Sequence, residues 1–448
     1  MASKFLSTQT VKATRGFAAQ AAAKPAATEF SPVPREPVKT TTLSNGIVVA
    51  SIETNAPLSR VGIAFKAGTR NEPAGKEGII HLLRMTSSLS TKQSTQFSLT
   101  RVINQAGASL TCTSGREHVL YSMDASRKQM QVPFLSWHSD GVLPKLTDAA
   151  TQQVFKPWEL SDNIYKIKLD LAAVQPETLV IELLHKVAFR TGLANSLFCP
   201  SHLVGKHTSE VLQSFVADNM RADNAAVVGV GIPHDRLVAY AQSLALKAGQ
   251  SASAVPSKVH GGEVRVETSS PLAYVAVAAP GASLADTKAM VTFALLQRAL
   301  GTGIPVKYGS GAGSKLNQAV LGAGAVSSLN LNYSDAGLFG FVAAAPATDA
   351  GKVVSAAAKV LRSASVNESQ FSRAKAQLKA DLLMAKENTG VLFEELALQA
   401  LLNQSDLLST IDKVSIAEVN AVASRFATAK LTVAAVGNLS NVPFVDDL

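Results

Sequence analysis

Cysteine is scarce. Cys112 and Cys199 are the only two in 448 residues, too few for a disulfide framework, and they read as small buried hydrophobes in a reducing compartment. Long apolar runs are missing. The most apolar region, Pro271 to Leu300, is interrupted by Asp286 and Lys288, so no stretch of about 18 uncharged apolar residues is available to span a membrane. No basic block interleaved with aromatics occurs, and aromatics make up 6% of the chain, which argues against nucleic acid as a partner. Acidic residues are absent until Glu29.

That last absence explains the formal charge of +9. Lys4, Lys12, Arg15 and Lys24 lie in an acid-free segment, and removing them leaves +5 on a large protein. The segment is rich in Ser, Thr and Ala. On a helix it places Lys4 and Arg15 on one side and Leu6, Ala13 and Phe17 roughly opposite. This is the basic amphipathic pattern of a mitochondrial transit peptide, expected over residues 1–24 with cleavage just after Arg15. Residues 25–38, rich in Pro and Ala, read as an extended lead-in.

With 47% hydrophobic and 17% charged residues, the remainder is globular, and its length calls for two or more domains. It repeats itself. Ser209-Glu210-Val211-Leu212 leads through a helical pattern to an apolar strand ending at Gly231; Ala417-Glu418-Val419-Asn420 leads the same way to Gly437. The fronts correspond as well. Thr41–Leu43 and Ile47–Ile52 flank Asn45-Gly46, a hairpin turn, and Val61, Ile63 and Phe65 alternate along a strand. Ala273–Ala279 is its counterpart, and Lys288–Leu300 is a helix. Both halves continue with strand pairs, Ser109–Ser114 with Val119–Asp124 and Val326–Tyr333 with Leu338–Ala344. Helices are expected near Glu159–Val174, Pro176–Phe189, Ser209–Met220, Ala350–Ala364, Glu368–Lys386 and Val391–Leu402. The fold class is therefore α+β: two tandem homologous domains, 39–248 and 260–448, joined by a Ser/Ala/Pro linker at 249–259. Each is a mostly antiparallel sheet layered with helices, and the two are expected to face each other across a cleft.

One segment carries the frame of a hydrolytic site without its chemistry. Gly78-Ile79-Ile80-His81-Leu82-Leu83-Arg84-Met85 matches the inverted zinc motif H-x-x-E-H with His81 kept, Arg84 in place of the general-base glutamate and Met85 in place of the second histidine. A catalytic zinc needs about three protein ligands, and a thioether is a poor substitute for imidazole. A guanidinium about 5 Å from a dication costs roughly 6 kcal/mol at an effective ε of about 20, and it cannot act as a base near neutral pH. No catalytic residue, metal or cofactor is expected from His81, Arg84 and Met85. His81 is expected to be a hydrogen-bonded histidine on a partly buried helix, Arg84 to pair with Glu117 or Asp162, and His118 to end a strand. The run Gly309-Ser310-Gly311-Ala312-Gly313-Ser314-Lys315 is not a phosphate loop, because Ser314 separates Gly313 from Lys315; it reads as a loop before a helix.

Taken together, Leu43-Ser44-Asn45-Gly46, Lys66-Ala67-Gly68-Thr69-Arg70-Asn71-Glu72, Gly78-x-x-His81 and Gly107-Ala108 before Arg116-Glu117-His118 stand in the order of one family. The chain resembles the pitrilysin-type (M16) metallopeptidases and processing peptidases. Within that family it is similar to the core subunits of the mitochondrial cytochrome bc1 complex, on the strength of Phe155–Glu159, Leu193–Pro200, Asn332–Phe341 and Pro443–Leu448. The resemblance implies two M16-like domains and a third metal ligand, in active relatives, from the region Glu159–Asp170, where Ser161, Asp162 and Asp170 are candidates. It implies a non-catalytic structural subunit on the matrix side of the inner membrane, peripheral, with no haem, iron–sulfur cluster or quinone of its own. The implied partners are a homologous core subunit, cytochrome b, cytochrome c1 and the Rieske protein. The alternative is the non-catalytic, substrate-recognising subunit of the mitochondrial processing peptidase, in which a glycine-rich loop such as Gly309–Lys315 helps to handle presequences. An active zinc peptidase is the third reading.

Overall fold

Short apolar runs rich in Val, Ile and Ala set the inner strands. In a computed structural model, residues 37–130, 141–249, 255–302, 314–320, 322–402 and 407–448 are described. The expected transit peptide at 1–24, most of the lead-in, linker residues 250–254 and the glycine-rich run up to Gly313 lie outside the described residues. Two sheets carry the fold. The first has the order β1-β2-β6-β3-β5-β4, from β1 (Lys39–Thr42), β2 (Val48–Ile52), β3 (Leu58–Phe65), β4 (Ser109–Ser114), β5 (Val119–Ser126) and β6 (Ala225–Val230). The second has the order β7-β11-β8-β10-β9, from β7 (Gly262–Glu267), β8 (Leu272–Pro280), β9 (Ala325–Asn332), β10 (Gly337–Pro346) and β11 (Thr432–Gly437).

Without β1 the two orders are the same. In both, one pair is parallel, β2 with β6 and β7 with β11, and the other pairs are antiparallel. The repeat at Gly231 and Gly437 thus marks the end of the same strand in each half. Asn45-Gly46 closes the β1–β2 hairpin as expected, with Gly46 at φ +91°. The helix Pro176–Phe189 begins at its proline, whose missing N–H is harmless in a first turn.

Each sheet buries both faces. Val61, Ile63 and Phe65 of β3 point into the first half's main core with Leu82, Leu99 and Tyr121. Val275 and Val277 of β8 do the same in the second half with Phe293, Phe339 and Phe426. The opposite faces are covered by exchange, so the halves do not simply face each other across a cleft. The helix Thr389–Leu402, late in the chain, lays Leu392, Phe393, Leu396 and Ala397 on Ala64, Leu120, Ala226 and Val228 of the first sheet. The helix Pro176–Phe189, early in the chain, lays Val180, Leu184 and Ala188 on Ala276, Ala278, Ala434 and Val436 of the second. Periodicity announces that such helices have an apolar face; it does not say which sheet that face meets.

Small residues make the exchange possible. The second sheet offers alanines, so the helix can sit close. In β3, Gly62 leaves a socket for Phe393: a Cβ there would stand 2.5 Å from the ring and 2.5 Å from the Tyr121 carbonyl oxygen. Burying such a side chain contributes about 1.5–3 kcal/mol. Phe393→Ala is therefore expected to destabilise the protein by about 3–5 kcal/mol, and Gly62→Val to do so through overpacking by about 1–3 kcal/mol or more, in denaturant unfolding followed by circular dichroism. Additive losses in the double variant would contradict the socket, because both changes act on one contact.

Candidate functional site

The motif helix, Ile79–Met85, starts at Gly78, which holds φ +94° and packs so tightly on Cys199 that a Cβ would meet its sulfur at 2.6 Å. The open N–H groups of that first turn are met by Glu72. Its carboxylate accepts from the Gly78 N–H at 2.9 Å and from the Ile80 N–H at 2.7 Å. Burial pushes Glu72 up to about 7, against the pull of those N–H groups. The KAGTRNE stretch therefore contains the cap of the motif helix, a role that nothing in the sequence spacing indicates.

His81 is fully buried. Its Nδ1 accepts the Cys199 backbone N–H at 3.1 Å, which leaves Nε2 as the protonated nitrogen, donating to Asp170 Oδ2 at 2.9 Å. The edge of Phe198 stands against its ring, centroids 5.9 Å apart. Burial holds His81 below the usual histidine value, and the neighbouring Arg84 charge adds to this while Asp170 opposes it. Arg84 Nη2 donates to the same Asp170 Oδ2 at 2.7 Å. Its partner is thus neither Glu117 nor Asp162. Glu117 is engaged by Arg70 and Ser334, and Asp162 is exposed on the outer side of the helix Pro157–Ala172. Of the three residues considered on that helix, Asp170 reaches the motif, while Ser161 turns its hydroxyl back to the Trp158 carbonyl at 2.8 Å. Met85 is half-buried against the first half's core. Among the described residues, no group of three or more His, Cys, Asp or Glu side chains could hold a metal ion.

The second polar centre fastens the halves together. The β9–β10 turn, Tyr333 to Ala336, enters beside the β4–β5 turn, Gly115 to His118. Arg70 donates to Glu117 Oε1 at 2.6 Å, to Asp335 Oδ1 at 2.9 Å and Oδ2 at 2.5 Å, and to the Val255 carbonyl at 2.7 Å. Ser334 donates its N–H to Glu117 at 2.9 Å and its hydroxyl at 2.6 Å. Beneath them, buried Arg116 pairs with buried Glu182 at 2.6 Å and donates to the Leu193 and Asn195 carbonyls. His185 donates from Nδ1 to the Ile181 carbonyl at 2.7 Å, so its Nε2 accepts the Tyr333 hydroxyl at 2.6 Å. Burial, with the Arg116 charge, pushes His185 down to about 3, and it stays neutral. Arg70, Arg116-Glu117-His118 and Tyr333-Ser334-Asp335, which carry the family resemblance in the sequence, meet at one point in the fold. His118 stands immediately before β5, and burial lowers its pKa. The thiols are inert: burial raises Cys112 to about 12 and Cys199 to about 11.

Two outcomes are expected. Removing the guanidinium in Arg84→Met leaves Asp170 beside His81, so the His81 pKa rises; an NMR titration that finds it lower or unmoved contradicts the shared carboxylate. Glu72 binds a proton more tightly folded than unfolded, so its contribution to stability falls as pH rises from its unfolded value of 4.5 to about 7. Relative to the wild type, Glu72→Gln is expected to gain about 3 kcal/mol across that window in pH-dependent unfolding.

Comparison with known proteins locates this geometry. A family model described as Insulinase (Peptidase family M16) matches residues 48–201, and one described as Peptidase M16 inactive domain matches residues 206–378. The chain is 36% identical over 438 residues to the human cytochrome b-c1 complex subunit 2, mitochondrial, covering 94% of each. It is 35% identical to the mouse protein of that name, covering 93% of each. The human mitochondrial-processing peptidase subunit alpha is 28% identical, covering 90% of this chain and 83% of that one. A chain in the solved structure of complex III2 from Candida albicans, with Inz-5 bound, shares the fold: TM-score 0.76 at 20% identity, covering 92% of this chain and 98% of that one. The chain accordingly belongs to the M16 peptidase family, as a relative of the cytochrome b-c1 complex subunit 2 proteins.

Proposed function

We propose that this chain is a non-catalytic core subunit of the mitochondrial ubiquinol–cytochrome c reductase, supporting the assembly and stability of that complex. The observation that carries the reading is the likeness to cytochrome b-c1 complex subunit 2 across 94% of the chain. Its partners are a homologous core subunit and, through the complex, cytochrome b, cytochrome c1 and the Rieske protein. No helix of the described residues is long and apolar enough to cross a membrane, which supports a peripheral attachment through those partners. The acid-free N-terminus of residues 1–24 supports delivery to the matrix side. We keep 39–248 and 260–448, joined at 249–259, as the proposed domain boundaries.

The M16 family implies a zinc, and the residues present do not fit one. His81 has committed Nδ1 to the Cys199 N–H, and its other nitrogen carries a proton held by Asp170. That Asp170 oxygen also takes Arg84, so a cation already occupies the place where a metal would need an anion. Arg84 cannot accept a proton from water, and Met85 offers sulfur where imidazole is required. His81 and Arg84 act here as structural residues that tie the motif helix to the helix Pro157–Ala172, and Met85 packs against the first half's core.

The 28% likeness to a processing-peptidase alpha subunit motivates one rival, a presequence-recognising subunit. Native electrophoresis of detergent-solubilised mitochondria separates the two. The chain is expected to migrate with cytochromes b and c1, and a chain migrating free of every cytochrome-containing band would overturn the proposal. Presequence cleavage on reconstitution with an active partner, dependent on Gly309–Lys315, would favour the rival. Metal analysis of the purified chain is expected to find far less than one zinc per chain; stoichiometric zinc would refute the ligand argument.

A further inference from the structure

A cavity of about 400 Å³ opens among three helices of the first half: the motif helix, the helix Pro157–Ala172 and the helix Ser209–Asn219. It is separate from the ion cluster, since none of His81, Arg84 and Asp170 lines it. Leu82, Leu160, Ile164 and Ile167 supply its apolar wall. A few polar groups interrupt that wall, and nearly all of them are acceptors. Asn163, 6% exposed, gives its amide N–H to the Glu159 carbonyl at 2.7 Å. A carbonyl can only accept, so the nitrogen is fixed toward the helix backbone and Oδ1 is the end left over. No hydrogen bond reaches Oδ1 among the described residues. The buried Thr86 hydroxyl donates to the Leu82 carbonyl at 2.8 Å, and the Ser161 hydroxyl to the Trp158 carbonyl at 2.8 Å, so both offer lone pairs only. His207 donates from Nε2 to the Glu77 carbonyl at 3.1 Å, and burial keeps its ring neutral, which makes Nδ1 an acceptor as well.

Donors and charge are confined to the rim. Thr208 and Glu210, at the start of the helix Ser209–Asn219, are exposed, and no Lys or Arg lines the cavity. A head group that enters therefore has to donate, which a carboxylate cannot do. It also has to be neutral, because an ammonium inside would have no buried carboxylate to pair with. We propose that this cavity is a binding site for a neutral aliphatic molecule with a hydroxyl head. The hydroxyl donates to Asn163 Oδ1, and the hydrocarbon chain lies against Leu82, Leu160, Ile164 and Ile167. The volume corresponds to roughly 13 waters, ample for a chain of about six to eight carbons. An apolar cavity of this size with one oriented polar group is the usual form of a small-molecule site. This site goes beyond the role in a respiratory complex and does not depend on it.

The test uses the purified full-length chain at pH 7, read by saturation-transfer NMR and titration. The probes are hexan-1-ol, butan-1-ol, 1-methoxyhexane (which accepts but cannot donate), hexanoate and hexylammonium. Saturable binding of hexan-1-ol is expected, about tenfold tighter than butan-1-ol because two more CH₂ groups are buried. The ether is expected to bind about tenfold more weakly than hexan-1-ol, since it leaves Asn163 Oδ1 without a donor. Neither ion is expected to bind. Asn163→Leu is expected to abolish the preference for alcohol over ether, and Leu160→Trp to abolish binding by filling the cavity. Should Leu160→Trp fail to fold by circular dichroism, Asn163→Leu carries the comparison, since it places an apolar side chain among apolar neighbours. No saturable binding of hexan-1-ol, binding of the ether or of either ion as tight as that of the alcohol, or an unchanged alcohol preference in Asn163→Leu would each overturn the assignment.

Discussion

A sheet with apolar side chains on both faces has to be covered twice, and in this chain neither half carries enough helix in the right place to do so alone. Main cores built around Phe65 and Tyr121, and around Phe339 and Phe426, close one face of each sheet from within. Closing the second face requires a helix from the other end of the molecule. The helix Thr389–Leu402 and the helix Pro176–Phe189 answer the same demand in opposite directions. The relation between the halves is thus set by buried apolar surface rather than by a flexible joint, and the polar clasp is assembled on top of it. Arg70, Arg116 and Glu117 meet Tyr333, Ser334 and Asp335 because the exchanged helices have already brought the β4–β5 and β9–β10 turns together. A buried ion pair such as Arg116–Glu182 adds little net stability, but it penalises any arrangement in which one member loses the other.

The polar atoms around the motif helix are committed to one another. The Glu72 carboxylate caps the helix, both nitrogens of His81 are engaged, and Asp170 is shared between His81 and Arg84. Arg84 supplies a fixed positive charge beside Asp170.

Local elements were legible from the sequence because their signals are local. Asn45-Gly46 specifies its turn, Pro176 starts its helix, Val61, Ile63 and Phe65 alternate along β3, and β8 and β10 stand out as apolar runs. The duplication was legible from Gly231 and Gly437. Partner choice across long separations was not. The sequence alone did not choose among Ser161, Asp162 and Asp170, and only the packing of one helix against the next brings Asp170 to His81. Arg84 was expected to find Glu117 or Asp162, and it did not, because Arg70 competes for Glu117 from a turn that no spacing rule connects with it. Glu72 escaped notice for a similar reason: a buried acid six residues before a helix N-cap looks like an exposed loop residue until the backbone folds over it. Family resemblance pointed to the correct stretches of chain without saying which atoms they join.

The exchange of helices has a temporal side. Residues 389–402 leave a ribosome well after residues 48 to 230, yet they roof the sheet that those earlier residues form. Until they arrive, Ile52, Ala64, Leu120 and Val228 form an oily, hydrogen-bonded plane open to water, the kind of surface on which incomplete chains stick to one another. Maturation of the amino-terminal half is thereby made to wait for the carboxyl-terminal one, and a truncated product would be left as a client for chaperones rather than as a smaller working domain.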